Sequence, residues 1–400
     1  MSIFFQDKTL KTIQDFDVAG KSILFRVDLN APIKDGKVTD DTRITGILPT
    51  LNYLVEKKAK VTLISHLGRP DGKKNPKYSL MPVAERLAEL AGREILFPDD
   101  CIGDGVKKLY QEQMTGQVIL LENLRFYADE EDNNVEFAKK LKAHHQIYIS
   151  DAFGALHRAH ASTSALPSLF EERGIGMLVQ KELEFLYPLV KNPQRPYSVI
   201  MGGAKVSDKI KVVESLLKKV DRLFIGGAMA FTFLKAKGFQ IGTSLCEDNM
   251  VVQAKRIMDE ASERKVSVFF PKDFIIAKSP KDLTEIKTTD GINIREGWTG
   301  LDVGPKTVSH FVEFLQGSKV IFWNGPMGWF EQTPFDKGTV DLATSVARMD
   351  GIKIIGGGDS AAAVAHAGVS KQMNHISTGG GATLEFLEDP MLPGLKALLV

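Results

Sequence analysis

Cysteine is nearly missing. Cys101 and Cys246 are the only two in 400 residues, too few for a disulfide framework or a four-thiolate zinc site, and both are expected as buried thiols. No uncharged run approaches the roughly 20 apolar residues of a membrane span. The first residues carry neither the basic flank nor the apolar stretch of a signal peptide. The expectation is a cytoplasmic protein with no membrane partner. Charge of one sign is lacking as well: 51 Lys and Arg against 50 Asp and Glu leave +1, which disfavours a nucleic-acid binder working through bulk positive charge. Any anionic ligand has to be held by local groups. Internal repeats and low-complexity segments are absent, which sets aside repeat architectures.

What remains is the balance of a folded chain, 43% hydrophobic and 25% charged, at a length beyond what one core usually organises. Short β-branched runs alternate with longer helical patterns, as in α/β proteins with mostly parallel sheets. Strands are predicted at Ser22–Leu29, Lys60–Ser65, Gln117–Leu121 and Gln146–Ser150, with helices over Pro82–Leu90 and Asn134–Ala143. Further strands are predicted at Tyr197–Met201, Arg222–Ile225, Val266–Phe270, Lys319–Trp323, Lys353–Ile355 and His375–Ser377. The expected fold is α/β, with two doubly wound, Rossmann-like parallel-sheet domains. Ile175–Lys191 reads as a helical linker broken by Asn192-Pro193-Gln194-Arg195-Pro196. The expected division is 1–178, an interdomain helix and hinge at 179–196, 197–385, and a terminal segment 386–400 apolar enough to dock.

In the second half, strand after strand runs into glycine: Gly202-Gly203, Gly226-Gly227, Gly356-Gly357-Gly358 and Gly379-Gly380-Gly381. Glycine at the carboxyl ends of parallel strands lets backbone amides approach phosphate, although it also serves tight strand-to-helix turns. Gly356-Gly357-Gly358-Asp359-Ser360-Ala361 formally matches a dinucleotide fingerprint. The acidic residue that should grip the ribose is missing, since no Asp or Glu occurs from Ser360 to Leu384. G-x-x-x-x-G-K-[ST] is absent too, so phosphates would be held by separate glycine turns, helix starts and lysines. Lys205 and Lys209 would share one face if a helix starts there. Asp359 is placed either to cap a helix or to reach a magnesium ion, and Glu331, after a Gly-Pro turn, either stands merely exposed or meets ribose hydroxyls.

The first-half strands end in polar and basic groups instead: Arg26-Val27-Asp28-Leu29-Asn30, Ser65-His66-Leu67-Gly68-Arg69-Pro70, Leu121-Glu122-Asn123-Leu124-Arg125 and Asp151-Ala152-Phe153-Gly154, with His157-Arg158 close behind and Arg43 at Asp40-Asp41-Thr42-Arg43. Arg43, Arg69, Arg125 and Arg158 at sheet termini make a pocket for a small anion, because guanidinium forks match carboxylate and phosphate oxygens. Arg26, Arg86 and Arg93 read as surface ion pairs. His66 reads as a hydrogen-bond or cationic contact to the anion. His144-His145 and His157/His160 lack the accompanying ligands of a zinc site. An NAD-dependent dehydrogenase and a non-catalytic nucleotide sensor are the competing classes.

These motifs, together with Gly202-Gly203-Ala204-Lys205-Val206, Trp323-Asn324-Gly325-Pro326 and Gly356-Gly357-Gly358-Asp359, occur in an order and spacing that resembles the phosphoglycerate kinase family from about Lys11 to the C-terminus. The resemblance implies a monomeric kinase that moves a phosphoryl group between 1,3-bisphosphoglycerate and ADP, giving 3-phosphoglycerate and ATP with Mg2+. It assigns the triose to Asp28, Asn30, Arg43, His66, Arg69, Arg125 and Arg158, with the Leu29, Leu67 and Gly68 turns. It assigns the nucleotide to Gly203, Ala204, Lys205, Lys209, Asn324, Pro326, Glu331, Gly356, Gly357, Gly358, Asp359 and Ser360. Gly226-Gly227 and Gly300-Leu301 would border the adenine, Asp359 would meet the metal, and the C-terminal segment would return to the first domain. Ser360 departs from the family's usual threonine but keeps a hydroxyl.

The chemistry suits this set. A 3-phosphoglycerate carboxylate is already ionised at neutral pH and needs no general base. The reaction needs cations and alignment around a migrating anion, for which Arg43, Lys205 and Lys209 are the candidates. If triose and nucleotide lie on separate domains, the domains have to close, with the hinge expected at Ile175–Pro196.

Overall fold

In the computed structural model, which describes residues 3–5, 8–279 and 282–399, the chain forms two compact units. One takes the chain up to Glu184 together with the segment from Met391 onward, and the other runs Phe185–Pro390.

The first unit is built on six parallel strands, β1 (Ser22–Val27), β2 (Lys60–Ile64), β3 (Ile95–Leu96), β4 (Val118–Leu120), β5 (Ile147–Asp151) and β6 (Glu172–Ile175). Their order across the sheet is β6-β5-β1-β2-β4-β3. Every position of β1 is buried, as a strand covered by helices on both faces requires. The sheet grows from β1 through β2 to one side and then from β5 to the other. The crevice beyond the carboxyl ends of β1 and β5 is therefore a topological switch point, where open α/β sheets hold ligands.

Helix α1 (Thr42–Glu56) buries Ile44, Ile47, Leu51 and Leu54 at helical spacing despite Pro49. Helix α2 (Met81–Ala91) ends on Gly92 in the left-handed region. A short helix, α3 (Ala128–Glu131), precedes α4 (Val135–Lys142), whose first amides donate to the Asn134 side chain. The segment expected as linker begins as β6 and continues as helix α5 (Met177–Lys191), and the division between units falls inside α5, between Glu184 and Phe185. Asp151, at the end of β5, caps α5: it accepts from Val179 N at 3.0 Å and from the Thr50 hydroxyl, which accepts from Met177 N at 2.9 Å. Burial raises this carboxyl to about 7 in spite of those donors. The helix Pro393–Leu398 buries Leu395 and Leu398, and Gly394 N donates to Leu156 O at 2.8 Å.

The second unit repeats the plan with β7 (Tyr197–Met201), β8 (Arg222–Ile225), β9 (Ser267–Phe269), β13 (Val320–Asn324), β14 (Ile352–Gly356) and β15 (His375–Ile376), ordered β9-β8-β7-β13-β14-β15 and all parallel. Its switch point lies beyond β7 and β13. An antiparallel sheet of β10 (Phe274–Ser279), β11 (Asp282–Thr288) and β12 (Thr299–Val303), ordered β11-β10-β12, is added to it. That sheet was not expected, because a meander leaves no helix between its strands to announce it. Phe231, Leu234, Phe274, Ile276, Ile294 and Trp298 form its own small core. Cys101 is buried as expected, but Cys246 is partly exposed, its thiol 3.4 Å from Asp248 Oδ1.

Candidate functional site

At the first switch point the turns after β1 and β2 are tied to each other. Leu29 N donates to Ser65 Oγ at 2.9 Å, Gly68 N to Asn30 Oδ1 at 2.9 Å, and Leu67 N to Asn123 Oδ1 at 3.2 Å. The Asn30 amide oxygen is thus already engaged. Arg43, in the first turn of α1, forms an ion pair with Asp28. Arg125 is buried, donates from Nη1 to Gly68 O at 2.8 Å and lies 3.4 Å from Glu131. Arg158 is half-buried, and Arg69 is exposed to solvent.

The electrostatics show how closely these groups share one crevice. Burial would raise the Asp28 carboxyl, but His66, Arg43, Arg26 and the Asn30 amide hold it below the usual carboxylate range. Burial drives His66 well below its ordinary value, with Arg26, Arg125 and Arg43 acting in the same direction against Asp28. His157 is lowered by burial and Arg158, and His160 falls to about 4 through burial, Arg125, Arg26 and Arg158. All three histidines are neutral at neutral pH. The positive field is that of the arginines, and of the two roles expected for His66 the lowered value favours the hydrogen-bonding contact over the cationic one.

Arg26 is the larger correction. Read as a surface ion pair, it is 1% exposed and donates to Ser162 Oγ at 2.8 Å and to Val27 O, with Nη2 3.1 Å from His66 Nδ1. A charge inside an apolar strand gives no sign in sequence of partners more than 100 residues away. Arg86 does pair at the surface, with Asp41 and Glu89.

At the second switch point, a cavity of about 580 Å³ is lined by Gly203, Ala204, Gly227, Gly300, Leu301, Pro326, Glu331 and Asp359 from the sequence reading. Lys205, Lys209, Gly226, Asn324, Gly356, Gly357, Gly358 and Ser360 lie outside its lining. The cavity's apolar wall went unread: Phe231 comes from α7 (Met229–Ala236), Leu245 and Trp329 stand partly exposed at it, and Asp302 ends the β12 side. Burial raises Asp302 well above the usual range although it accepts from Val303 N at 2.8 Å and Gly338 N at 2.6 Å.

The glycine amides that follow β7, β8 and β13 do not face open space. Gly202 N donates to Asn324 O at 2.8 Å, Gly203 N to Pro326 O at 2.9 Å, Gly226 N to Met201 O at 2.8 Å, Gly227 N to Met327 O at 3.1 Å and Gly325 N to Ser360 Oγ at 2.6 Å. A Cβ at Gly202 would sit 2.1 Å from Pro326 O, and one at Gly227 2.4 Å from Gly203 N. These glycines let turns pack on turns. Gly358 differs, since a Cβ there would meet nothing within 4 Å; it opens helix α8 (Gly358–His366), which has no side-chain cap and so presents free amide dipoles.

The lysines do not share a helical face. Lys205 is exposed in a loop that Glu247 holds by accepting from Val206 N and Ser207 N, and the helix α6 (Ile210–Leu216) begins after Lys209. Lys209 Nζ instead reaches back to Gly202 O and to Asn324 O at 3.4 Å. Burial lowers it to about 8, opposed by Asp359 and Asp208. Asn324 donates to Gly356 O at 2.6 Å, while its Oδ1 is buried without a partner among the described residues. The Ser360 hydroxyl bridges Gly325 N and Gly356 O at 2.6 and 2.8 Å and is engaged within the protein. Asp359 is exposed and does not cap α8, whose N-cap is Gly357.

Compared with known proteins, residues 13–390 match the family model described as phosphoglycerate kinase. The phosphoglycerate kinase of Anaeromyxobacter dehalogenans strain 2CP-C is 48% identical, over 97% of this chain and 99% of its own. That of Clostridioides difficile strain 630 is 49% identical, over 97% and 98%. The solved phosphoglycerate kinases of Coxiella burnetii and Pyrococcus horikoshii OT3 give TM-scores of 0.88 and 0.82 at 38% and 32% identity, each covering 97% of this chain and 98% of the other.

Proposed function

The chain belongs to the phosphoglycerate kinase family, and from that premise we propose how its residues carry the reaction, the reversible transfer of a phosphoryl group between 1,3-bisphosphoglycerate and ADP to give 3-phosphoglycerate and ATP. It is an ATP-dependent phosphotransferase with a carboxyl acceptor. The observation that supports this assignment of residues is the contrast between the two switch points. One carries permanent guanidinium charge around Asp28, and the other a cavity with Lys209 and Asp359 at the helix start beside it.

Arg43, Arg125 and Arg158 bind the carboxylate and phosphate of the triose, with Arg69 adding a charge from the exposed side; Asp28, Asn30 and His66 meet its polar groups. Bidentate forks suit these oxygens. The nucleotide base enters the cavity between Gly300-Leu301 and Gly227, Glu331 takes the ribose, and the phosphates lie toward Gly357-Gly358 and the two lysines. Asp359 is a carboxylate at the cavity, free of any capping duty, which suits magnesium with its preference for oxygen ligands shared with phosphate and water. Asp359 would hold the ion, which would draw charge from the phosphate oxygens.

The acceptor carboxylate is ionised, so the residues align and neutralise rather than abstract a proton. Cations from both units surround the migrating group in an in-line transfer that excludes water, with residues 179–196 as the hinge. We read the working form as a cytoplasmic monomer; among the described residues no helix is long and apolar enough to cross a membrane. Incubation with ATP, Mg2+ and 3-phosphoglycerate should yield an acyl phosphate trapped by hydroxylamine, and its absence would overturn the reading. Solution scattering should show a smaller radius of gyration with both substrates than without; an unchanged curve would overturn closure.

A further inference from the structure

Behind the first crevice, Arg26 belongs to a chain of hydrogen bonds whose direction is fixed. A guanidinium has donors and no acceptor. Arg26 Nη2 lies 3.1 Å from His66 Nδ1, so that ring nitrogen presents its lone pair and the neutral imidazole carries its proton on Nε2. Arg26 Nε donates to Ser162 Oγ at 2.8 Å. The serine proton then has to point elsewhere, and it points at Glu130 Oε1, while Ser162 N donates to Glu130 Oε2 at 2.9 Å. Glu130 and Ser162 are both 0% exposed, so water does not stand in for a missing partner.

We propose that Glu130 and Ser162 are positioning residues of the triose site: the directed chain from His66 through Arg26 and Ser162 to the Glu130 carboxylate fixes the Arg26 fork and holds His66 as its Nε2–H tautomer, a neutral donor presented to the anionic substrate. This rests on the reading that His66 faces the triose. The chain joins four places far apart in sequence, the end of β1, the turn after β2, α3 and the Ala161–Ala165 turn. A buried network of this kind specifies one arrangement only if each member is satisfied. Without the serine hydroxyl, Arg26 Nε loses its acceptor in a dry site, the fork is free to turn, and His66 Nδ1 is free to take the proton.

The test uses the full chain with 15N-labelled histidine. In the ligand-free protein His66 should show an unprotonated Nδ1 and a protonated Nε2. Ser162→Ala should mix or reverse that pattern and raise the KM for 3-phosphoglycerate roughly tenfold, with the KM for ATP near its original value; Ser162→Thr, which keeps the hydroxyl, should restore both. Glu130→Gln gives the same readouts through the other member should Ser162→Ala not fold. An unchanged His66 tautomer in both variants would overturn the proposal, and so would a changed tautomer with an unchanged triose KM. The underlying placement is tested separately: His66→Gln with an unaltered triose KM would refute the triose reading while leaving the tautomer result intact.

Discussion

Lys209 offers a sharp test of the nucleotide site, because burial lowers its ammonium to about 8, with Asp359 and Asp208 opposing. Only the protonated form brings charge to a phosphate. With that value the side chain is about ten-elevenths protonated at pH 7 and about one-eleventh at pH 9. If the cation is what binds, the Kd for MgADP should weaken roughly tenfold over those two pH units. Titration calorimetry at pH 7, 8 and 9 measures it directly. Repetition in buffers of different ionisation enthalpy should show proton uptake approaching one per ADP at pH 9. Lys209→Arg keeps its charge across the range and should flatten the profile. Equal affinity at pH 7 and 9 in the native protein, or the same profile in the Arg variant, would refute the reasoning.

The same titration acts on stability with the opposite sign. Below pH 8 the folded and unfolded chains both hold the proton. Between 8 and the unfolded value of 10.5 the unfolded chain holds it more, so stability rises with pH across that window, by about 3 kcal/mol at most. Urea denaturation without nucleotide, compared with Lys209→Arg to cancel the other groups, should show the native protein gaining stability over the interval in which it loses affinity.

Arg43→Ala removes the partner of Asp28 and should weaken 3-phosphoglycerate binding by roughly 10- to 100-fold with MgADP binding unchanged; calorimetry showing equal losses for both ligands would contradict the assignment. His145 is 4% exposed and burial holds it down at about 3. The unfolded chain protonates this group near 6.5, so stability should fall as pH drops from 6.5 toward 3, by up to about 5 kcal/mol. His145→Phe should remove that slope, and the same slope in both proteins would rule the group out. Gly202→Ala puts a Cβ 2.1 Å from Pro326 O and should lower the urea midpoint, whereas Gly358→Ala meets nothing and should weaken MgADP binding without lowering stability. Equal destabilisation by the two would refute the distinction.

The sheets were legible because a parallel strand buried on both faces is an apolar run with a polar or glycine ending. Predicted Tyr197–Met201 and Arg222–Ile225 coincide with the observed strands, and Lys60–Ser65 exceeds its strand by one residue. The two crevices were legible for the same reason, since chemistry-bearing motifs followed strand ends. What failed was inference about partners. Lys205 and Lys209 would share a face only if a helix started there, yet the helix begins at Ile210 and Lys209 reaches back to Gly202, just after β7, and to Asn324 in β13. Arg26 looked like a surface charge because nothing near it in sequence announces Ser162 or Glu130. Glycine identity shows that a Cβ is unwelcome, not whether a ligand or another turn occupies its place.

Under the proposed function the two switch points put one topology to different chemical uses. A small triose offers few atoms, so the crevice proposed for it needs dense and permanent charge. Arginines supply that at any working pH, while burial, with the arginine field acting in the same direction, lowers His66 and His160 below their ordinary value. On the proposed assignment a nucleotide offers a large apolar face and a flexible chain of phosphates, which Phe231 and Leu301 at the cavity, the uncapped start of α8 and Lys209 are suited to meet. The interlocked turns at Gly202, Gly227 and Gly325 serve that arrangement indirectly. By letting the ends of β7, β8 and β13 touch backbone to backbone, they place Lys209 where it donates to the Gly202 and Asn324 carbonyls while burial lowers its ammonium to about 8.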